Sequence, residues 1–441
     1  MLICLLRHLQ VIKCSTVKAR SAIPNQPFQY TVEHFIFWIS LSKVIRFALL
    51  CQNMRKRALK YILSKARTMV SILAHAQNLV YTLLSLMPSV YQQENLEAML
   101  GLFLEAQGYP LPQHSKTKSA SALSRFLNIY DWSTRGVIRT ARHRIIKEIL
   151  SERLLGRQPF LQVIIDLTTL EKVGKFQVFS NFIRVYNGKR GLHLVVMPTV
   201  VGRWRVPWNF RVWRGKGVTS PASLGLKMVK SLPKKLTKHF KQVMVLVDTG
   251  FGTVQFIQGV RKKKYHIIAG IARTRKLIDG RCVAQLHKRG QQLRLQGLKF
   301  PVYVSWYYFK RNDGKYQKRF VISTKALKAS TISWWGKRRW QIEGWFKTAK
   351  HRFGLHRFGQ GTLLGVYRWF VLSLISYVLA HWAYLSTAHA PDLPDWGEAA
   401  EIAFQTIFPH LVVLLLLQDI ERLRDLALSQ GIDIQIYRCK I

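Results

Sequence analysis

Acidic residues are what this chain has least of. Between Lys172 and Pro391 there are four: Asp248, Asp279, Asp313 and Glu343. Over all 441 residues, 21 Asp and Glu stand against 69 Lys and Arg, a formal charge of +48. Cysteine is scarce as well. The five (Cys4, Cys14, Cys51, Cys282, Cys439) are scattered, odd in number and form no CxxC. That pattern supports neither a disulfide framework nor a zinc site, and it points to a reducing cytosol. Long hydrophobic runs are few. Phe35 to Cys51 is interrupted by Lys43 and Arg46, and Leu411 to Leu417 is too short to span a bilayer. Trp369 to Ser386 is uncharged over the minimal spanning length, yet with His381 and several Ser and Tyr it reads better as a buried helix. Met1 to Leu6 precede Arg7 instead of following basic residues, the wrong order for a signal peptide.

What is present is an ordinary hydrophobic fraction, 49%, in a chain long enough for two or three domains. The positive excess is spread over most of the length. Its natural partner is nucleic acid, with a membrane surface or another polyanion as the weaker alternative.

Residues 1–68 differ in composition from the rest of the chain and read as an uncertain N-terminal extension, with a functional start near Met54 or Met69. Residues 69–155 carry a helical pattern. Within them, Arg135, Arg139, Arg142, Arg144 and Lys147 run along one helix. Arg139 and Arg142 are candidate DNA contacts, the alternative being a solvated basic face. From Gln158 the texture changes to strands: Val163–Leu167, Leu192–Val201 and Arg205–Val212, with a turn at Asn187-Gly188. A helix over Ser220–Leu232, the strand Val243–Asp248, a short helix over Val254–Val260 and the strand His266–Ile271 come next. This order is that of a ribonuclease-H-like sheet, in which the first and fourth strands are neighbours. Residues 273–328 read as a β-rich insertion. A helix then resumes near Ser333 and ends near Gly354, where glycine provides a C-terminal cap.

The expected architecture is therefore α/β: a ribonuclease-H-like core over 156–272 and 329–390, interrupted by the β-rich segment. Helical regions precede it (69–155) and follow it (391–441).

Two of the four scarce acids have a local explanation. Asp279 and Asp313 each precede a glycine, as β-turns require. Asp248 instead ends the apolar run Val245-Leu246-Val247, and just upstream Asp166 sits inside Val163-Ile164-Ile165-Asp166-Leu167. A carboxylate in a buried strand is costly unless it is paired or binds metal. Asp166 and Asp248 on adjacent strands, with Glu343 on a helix over them, would supply hard oxygen ligands for Mg²⁺ or Mn²⁺. Two such ions, roughly 4 Å apart, serve phosphodiester chemistry. Arg339, Lys347 and Lys350 fall near one face of the Glu343 helix, where they would meet DNA phosphates; a surface helix with i,i+4 ion pairs is the alternative. Glu171 is a weaker candidate ligand. His351 and His356 fit DNA contact or a structural role. Trp306 is a candidate base-stacking residue, with the core of the β-rich segment as its default place.

Three blocks carry a resemblance. Ile164-Ile165-Asp166-Leu167-Thr168, Val247-Asp248-Thr249-Gly250-Phe251 and Arg338 through Lys347 look like the catalytic blocks of DDE transposases. The similarity is greatest to the insertion-sequence-four family and runs from residue 95 to 385. That family's signature is Tyr-x2-Arg-x3-Glu-x6-Lys; Arg339, Glu343 and Lys350 meet its spacing, and Gly336 stands where the tyrosine would be. The resemblance implies that Asp166, Asp248 and Glu343 form the metal triad and that Arg339 and Lys350 contact transposon-end DNA. It also implies a helical N-terminal DNA-binding domain and a homodimer that synapses two ends. The expected function is metal-dependent cleavage at insertion-sequence ends and transfer of the 3′-hydroxyl into target DNA, in a prokaryotic cytoplasm at the nucleoid. The partners would be double-stranded DNA, as terminal inverted repeats and target, and no membrane. The alternatives are a remnant that binds ends without cutting and a membrane-associated basic protein.

Overall fold

The computed structural model describes residues 15–19, 74–105, 109–151, 160–172, 180–202, 204–215, 217–310, 313–387 and 396–438. The chain divides into two units, Ile72–Ala403 and a second made of Met1–Ser71 with Phe404–Ile441.

The larger unit begins with helices α1 (Val90–Glu105), α2 (Ala120–Asn128) and α3 (Thr134–Ser151). Ser119 caps α2 by accepting the amide of Ala122. The strands that come after are β1 (Leu161–Glu171), β2 (Ile183–Tyr186), β3 (Lys189–Val201) and β4 (Trp204–Trp213). β1 is buried without interruption from Leu161 to Asp166, as its apolar run requires of a central strand. The two-residue turn joining β2 to β3 is Asn187-Gly188, both at positive φ (49° and 74°), the geometry that favours this pair in tight hairpins.

After helices α4 (Pro221–Lys230) and α5 (Lys234–His239) come β5 (Val243–Val247), α6 (Val254–Lys262) and β6 (His266–Ile271). β5 lies parallel to β1, with Ile165 opposite Val247, and β6 lies parallel to β5. On its other side β1 pairs antiparallel with β3, Asp166 facing Val196. The first and fourth long strands are thus neighbours.

Residues 273–328 do not stand apart from this sheet. Their strands β7 (Gln291–Leu293), β8 (Val302–Lys310) and β9 (Tyr316–Ser323) continue it in the order β6-β9-β8-β7, giving a nine-stranded mixed sheet among the described residues.

The helix expected over 333–354 is two helices, α7 (Ala329–Arg338) and α8 (Gln341–His351). At the break the amides of Trp340, Ile342 and Glu343 bond to carbonyls three residues back, at 2.9, 3.1 and 2.9 Å, so the chain tightens and turns there. Trp340 stacks on Phe309 of β8 (centroids 5.2 Å apart, planes 13° apart). α7 lies over β6, β8 and β9, while α8 crosses β1.

Helix α9 (Leu363–Thr387) contains the uncharged stretch Trp369–Ser386. Its apolar window, Leu363–Leu385, has a mean hydropathy of 1.7 and is 78% buried within the chain. It packs on α1, α2, α3 and β4 as a core helix does. The guanidinium of Arg368, 2% exposed, donates to the carbonyls of Phe126, Leu127, Tyr130 and Trp132 and to the Thr134 hydroxyl.

In the second unit, strands Ser15–Ala19 and Ile434–Arg438 pair antiparallel, and helix Pro409–Ser429 contains Leu411–Leu417. The stretch Phe35–Cys51 and the candidate starts Met54 and Met69 lie outside the described residues.

Candidate active site

Asp166 sits at the centre of the sheet and is 7% exposed. Its Oδ1 accepts the amide of Leu167 at 2.8 Å, and its Oδ2 accepts Nη1 of Arg339 at 2.6 Å. Burial pushes its pKa up to about 7; the Arg339 guanidinium opposes the rise, while the negative charges of Asp248 and Glu343 add to it. Carboxylates from β1, the end of β5 and the first turn of α8 therefore share one electrostatic neighbourhood.

Asp248 is half-buried where β5 ends. Its Oδ1 accepts the amide of Phe251 at 3.3 Å, which closes the turn Thr249-Gly250-Phe251. Gly270 on β6 lets that turn come close: a Cβ there would lie 2.9 Å from the Thr249 amide nitrogen. Glu343 is exposed.

The residues expected on one face of α8 divide by role. Arg339, left at the end of α7 by the helix break, turns inward to Asp166. Lys350 reaches β1 and donates to the Thr169 carbonyl at 2.9 Å. Lys347 is exposed and available to a polyanion. Trp345 and Phe346 are core, 5% and 6% exposed.

Elsewhere, tertiary packing reassigns several candidates. Arg142 is not a free DNA contact. It donates to the Trp208 carbonyl at 2.8 and 3.2 Å and lies over the Trp208 ring, fastening α3 to β4. Arg139 is exposed, as are Arg135, His143 and Lys147 at four-residue intervals on the same helix face. Trp306 takes the core alternative, 4% exposed beneath Lys318, whose Nζ lies 4.0 Å from its ring centre. Glu171 is exposed and paired with Lys189, which holds its carboxyl below the usual range. His356 donates from Nδ1 to the Lys350 carbonyl (2.7 Å), and burial lowers its pKa to about 4, so it is neutral.

Among the described residues no group of three or more His, Cys, Asp and Glu is placed to hold a metal ion. Oxygen donors of the right chemistry are present, but Arg339 occupies the Asp166 oxygen an ion would take. The arrangement does not fit a bound divalent cation as it stands.

Comparison with known proteins bears on the same elements. Residues 162–379 match the family model described as the transposase DDE domain. The match supports a DDE transposase. The DDE match begins on β1, ends within α9, and takes in Asp166, Asp248 and Glu343. No curated protein matches. Among solved structures, the cryo-EM structure of a piggyBac transposase synaptic complex with hairpin DNA aligns over 81% of each chain, at 12% identity and a TM-score of 0.41.

Within the DDE segment, some site residues carried no sequence signal. Gln162, 7% exposed on β1, accepts from Arg338 (3.1 Å) and Gln341 (3.4 Å) and so fixes both sides of the helix break. Arg319 lies over Phe309 (4.1 Å) and borders a cavity of about 470 Å³ that Asp248, Tyr307, Gly336 and Arg339 also line. Gly336, at the position the resemblance gives to tyrosine, has no room for a side chain. A Cβ there would stand 2.9 Å from Val321 Cγ2 and 3.2 Å from the Tyr307 ring.

Proposed function

We propose that this chain is a DNA transposase of the insertion-sequence-four type, built on a ribonuclease-H-like core. It cleaves phosphodiester bonds at the ends of its element and joins the freed 3′-hydroxyl to target DNA. The observation that carries the reading is the convergence on buried Asp166 of charge from Asp248 and Glu343, out of the four acids between Lys172 and Pro391. A formal charge of +48 provides the attraction for the DNA backbone. Exposed Arg139 and Lys347 are suited to phosphate contact, and Lys350 holds α8 against β1.

Mg²⁺, with Mn²⁺ as substitute, belongs to the proposal as the cofactor of the DNA-bound form. Such ions activate water and neutralise charge on a phosphoryl oxygen. Terminal inverted repeats and target DNA are the proposed ligands, a homodimer the proposed synaptic form, and the prokaryotic nucleoid the proposed place of action.

Gly336 favours a second reading, a remnant that grips ends without cutting them. One assay separates the two: Mg²⁺-dependent cleavage of duplex DNA carrying the element's terminal repeats, with Asp166→Ala as control. A transposase cuts and the variant does not. A remnant binds the ends and leaves them intact. Equal cleavage by the variant removes Asp166 from the site.

A further inference from the structure

The carboxylates and Arg339 disagree with a ready-made cation site, and the disagreement has a definite geometry. Arg339 Nη1 lies 2.6 Å from Asp166 Oδ2, the two side chains being 11% and 10% exposed. The other carboxylate oxygen is held by the Leu167 amide. Both oxygens of Asp166 are thus engaged by donors of this chain. A guanidinium and a divalent cation on one carboxylate oxygen repel each other strongly in so dry a place, so they do not share it.

Arg339 also has somewhere else to go. It lines the cavity of about 470 Å³ that reaches Asp248, and Arg273, Lys318 and Arg319 line it too. Asp248 is the one carboxylate on that wall. An anion entering there meets several cations, and a phosphate offers Arg339 the bidentate partner that its planar fork favours.

We propose that Arg339 and a divalent cation are alternative occupants of Asp166, and that a DNA phosphate entering the adjacent cavity draws Arg339 away and opens the carboxylate to the cation. This rests on the function proposed above and adds its regulation. The protein alone keeps its acids closed to metal, and the DNA complex loads them. Because coupling between two ligands is reciprocal, metal also tightens the DNA complex.

The test is a Mn²⁺ titration followed by the electron paramagnetic resonance of free Mn²⁺, on the full chain with and without duplex DNA. Wild type, Arg339→Gln, Arg339→Lys and Asp166→Asn are compared, and Mn²⁺ held by the DNA itself is measured in the Asp166→Asn complex and subtracted. Wild type should bind Mn²⁺ weakly alone and about tenfold more tightly with DNA, within the usual range of coupling. Arg339→Gln should bind it that tightly without DNA, while Arg339→Lys, which keeps the charge, stays close to wild type. Thermal melts check that each variant is folded, and the Lys variant serves if the Gln variant is not: DNA should still tighten its Mn²⁺ binding. Equal Mn²⁺ affinity for DNA-free wild type and Arg339→Gln, with Asp166 required in both, would overturn the exchange and leave the proposed function standing. Absence of any Asp166-dependent Mn²⁺ binding, even with DNA, would remove the cation site and the exchange together.

Discussion

Lys350 donates its ammonium to the backbone carbonyl of Thr169, 2.9 Å away and three residues beyond Asp166 on the same strand. The contact makes Lys350 a tether for the helix that carries Glu343. Burial holds the Lys350 pKa below its usual value, and neighbouring Lys189 adds to the effect. Lys350→Met is expected to lose about 1–2 kcal/mol of stability by denaturant titration, with cleavage reduced because α8 loosens. Lys347, exposed on the same helix, should behave oppositely. Lys347→Ala should leave stability within about 0.5 kcal/mol and weaken DNA binding, lowering the salt slope by about one.

Arg368 concentrates more hydrogen bonds than any single site candidate, with four carbonyls and one hydroxyl around one guanidinium. Arg368→Met strands those acceptors in a buried place and should cost about 3–5 kcal/mol, read as a lower denaturation midpoint. Arg368→Lys should recover only part, since an ammonium cannot reproduce the planar fork.

His356 gives the fold a pH dependence. Its pKa is about 4 in the folded chain, below the ordinary 6.5, chiefly through burial. The unfolded chain therefore binds the proton first as pH falls. The stability contribution should be full above about pH 6.5, decline between 6.5 and 4, and change no further below. Denaturant midpoints for wild type and His356→Asn across that window check this: the variant's profile should be flatter.

Gly336 is held to glycine by its neighbours and not by its own backbone conformation. Gly336→Ala sets a methyl 2.9 Å from Val321 Cγ2 and should cost about 1–3 kcal/mol as an overpacked site. Gly336→Tyr should cost more and should not raise cleavage, because the family's tyrosine position here lies against β8 and β9. Thermal melts and the cleavage assay measure the two effects.

The strands were legible because their runs are apolar enough to be central: Leu161–Ile165 and Val243–Val247 are buried and adjacent, as their order in the chain implies. Asp166 and Asp248 were legible for the same reason, being charges where none belongs without a partner. The helix break at Arg339–Trp340 was not. No glycine or proline interrupts Lys337 to Ile342, and the turn depends on Gln162, Asp166 and Phe309, which are distant in sequence. Arg142 and Arg139 are alike as sequence; only the Trp208 carbonyl separates the buried tether from the exposed cation. Nothing local in residues 273–328 says which edge their strands will join. Trp306 illustrates the limit on aromatics, since stacking and core use the same side chain.

The account depends above all on Asp166, Asp248 and Glu343 working as one unit. Cleavage rates on terminal-repeat DNA should be measured for Asp166→Asn, Asp248→Asn and Glu343→Gln, singly and in pairs, with DNA binding followed in parallel. Each single change should abolish most cleavage while end-binding persists, and the pairs should lose no more than the singles, as residues of one catalytic unit do. Losses that multiply independently, or any single variant cutting at the wild-type rate, would contradict it.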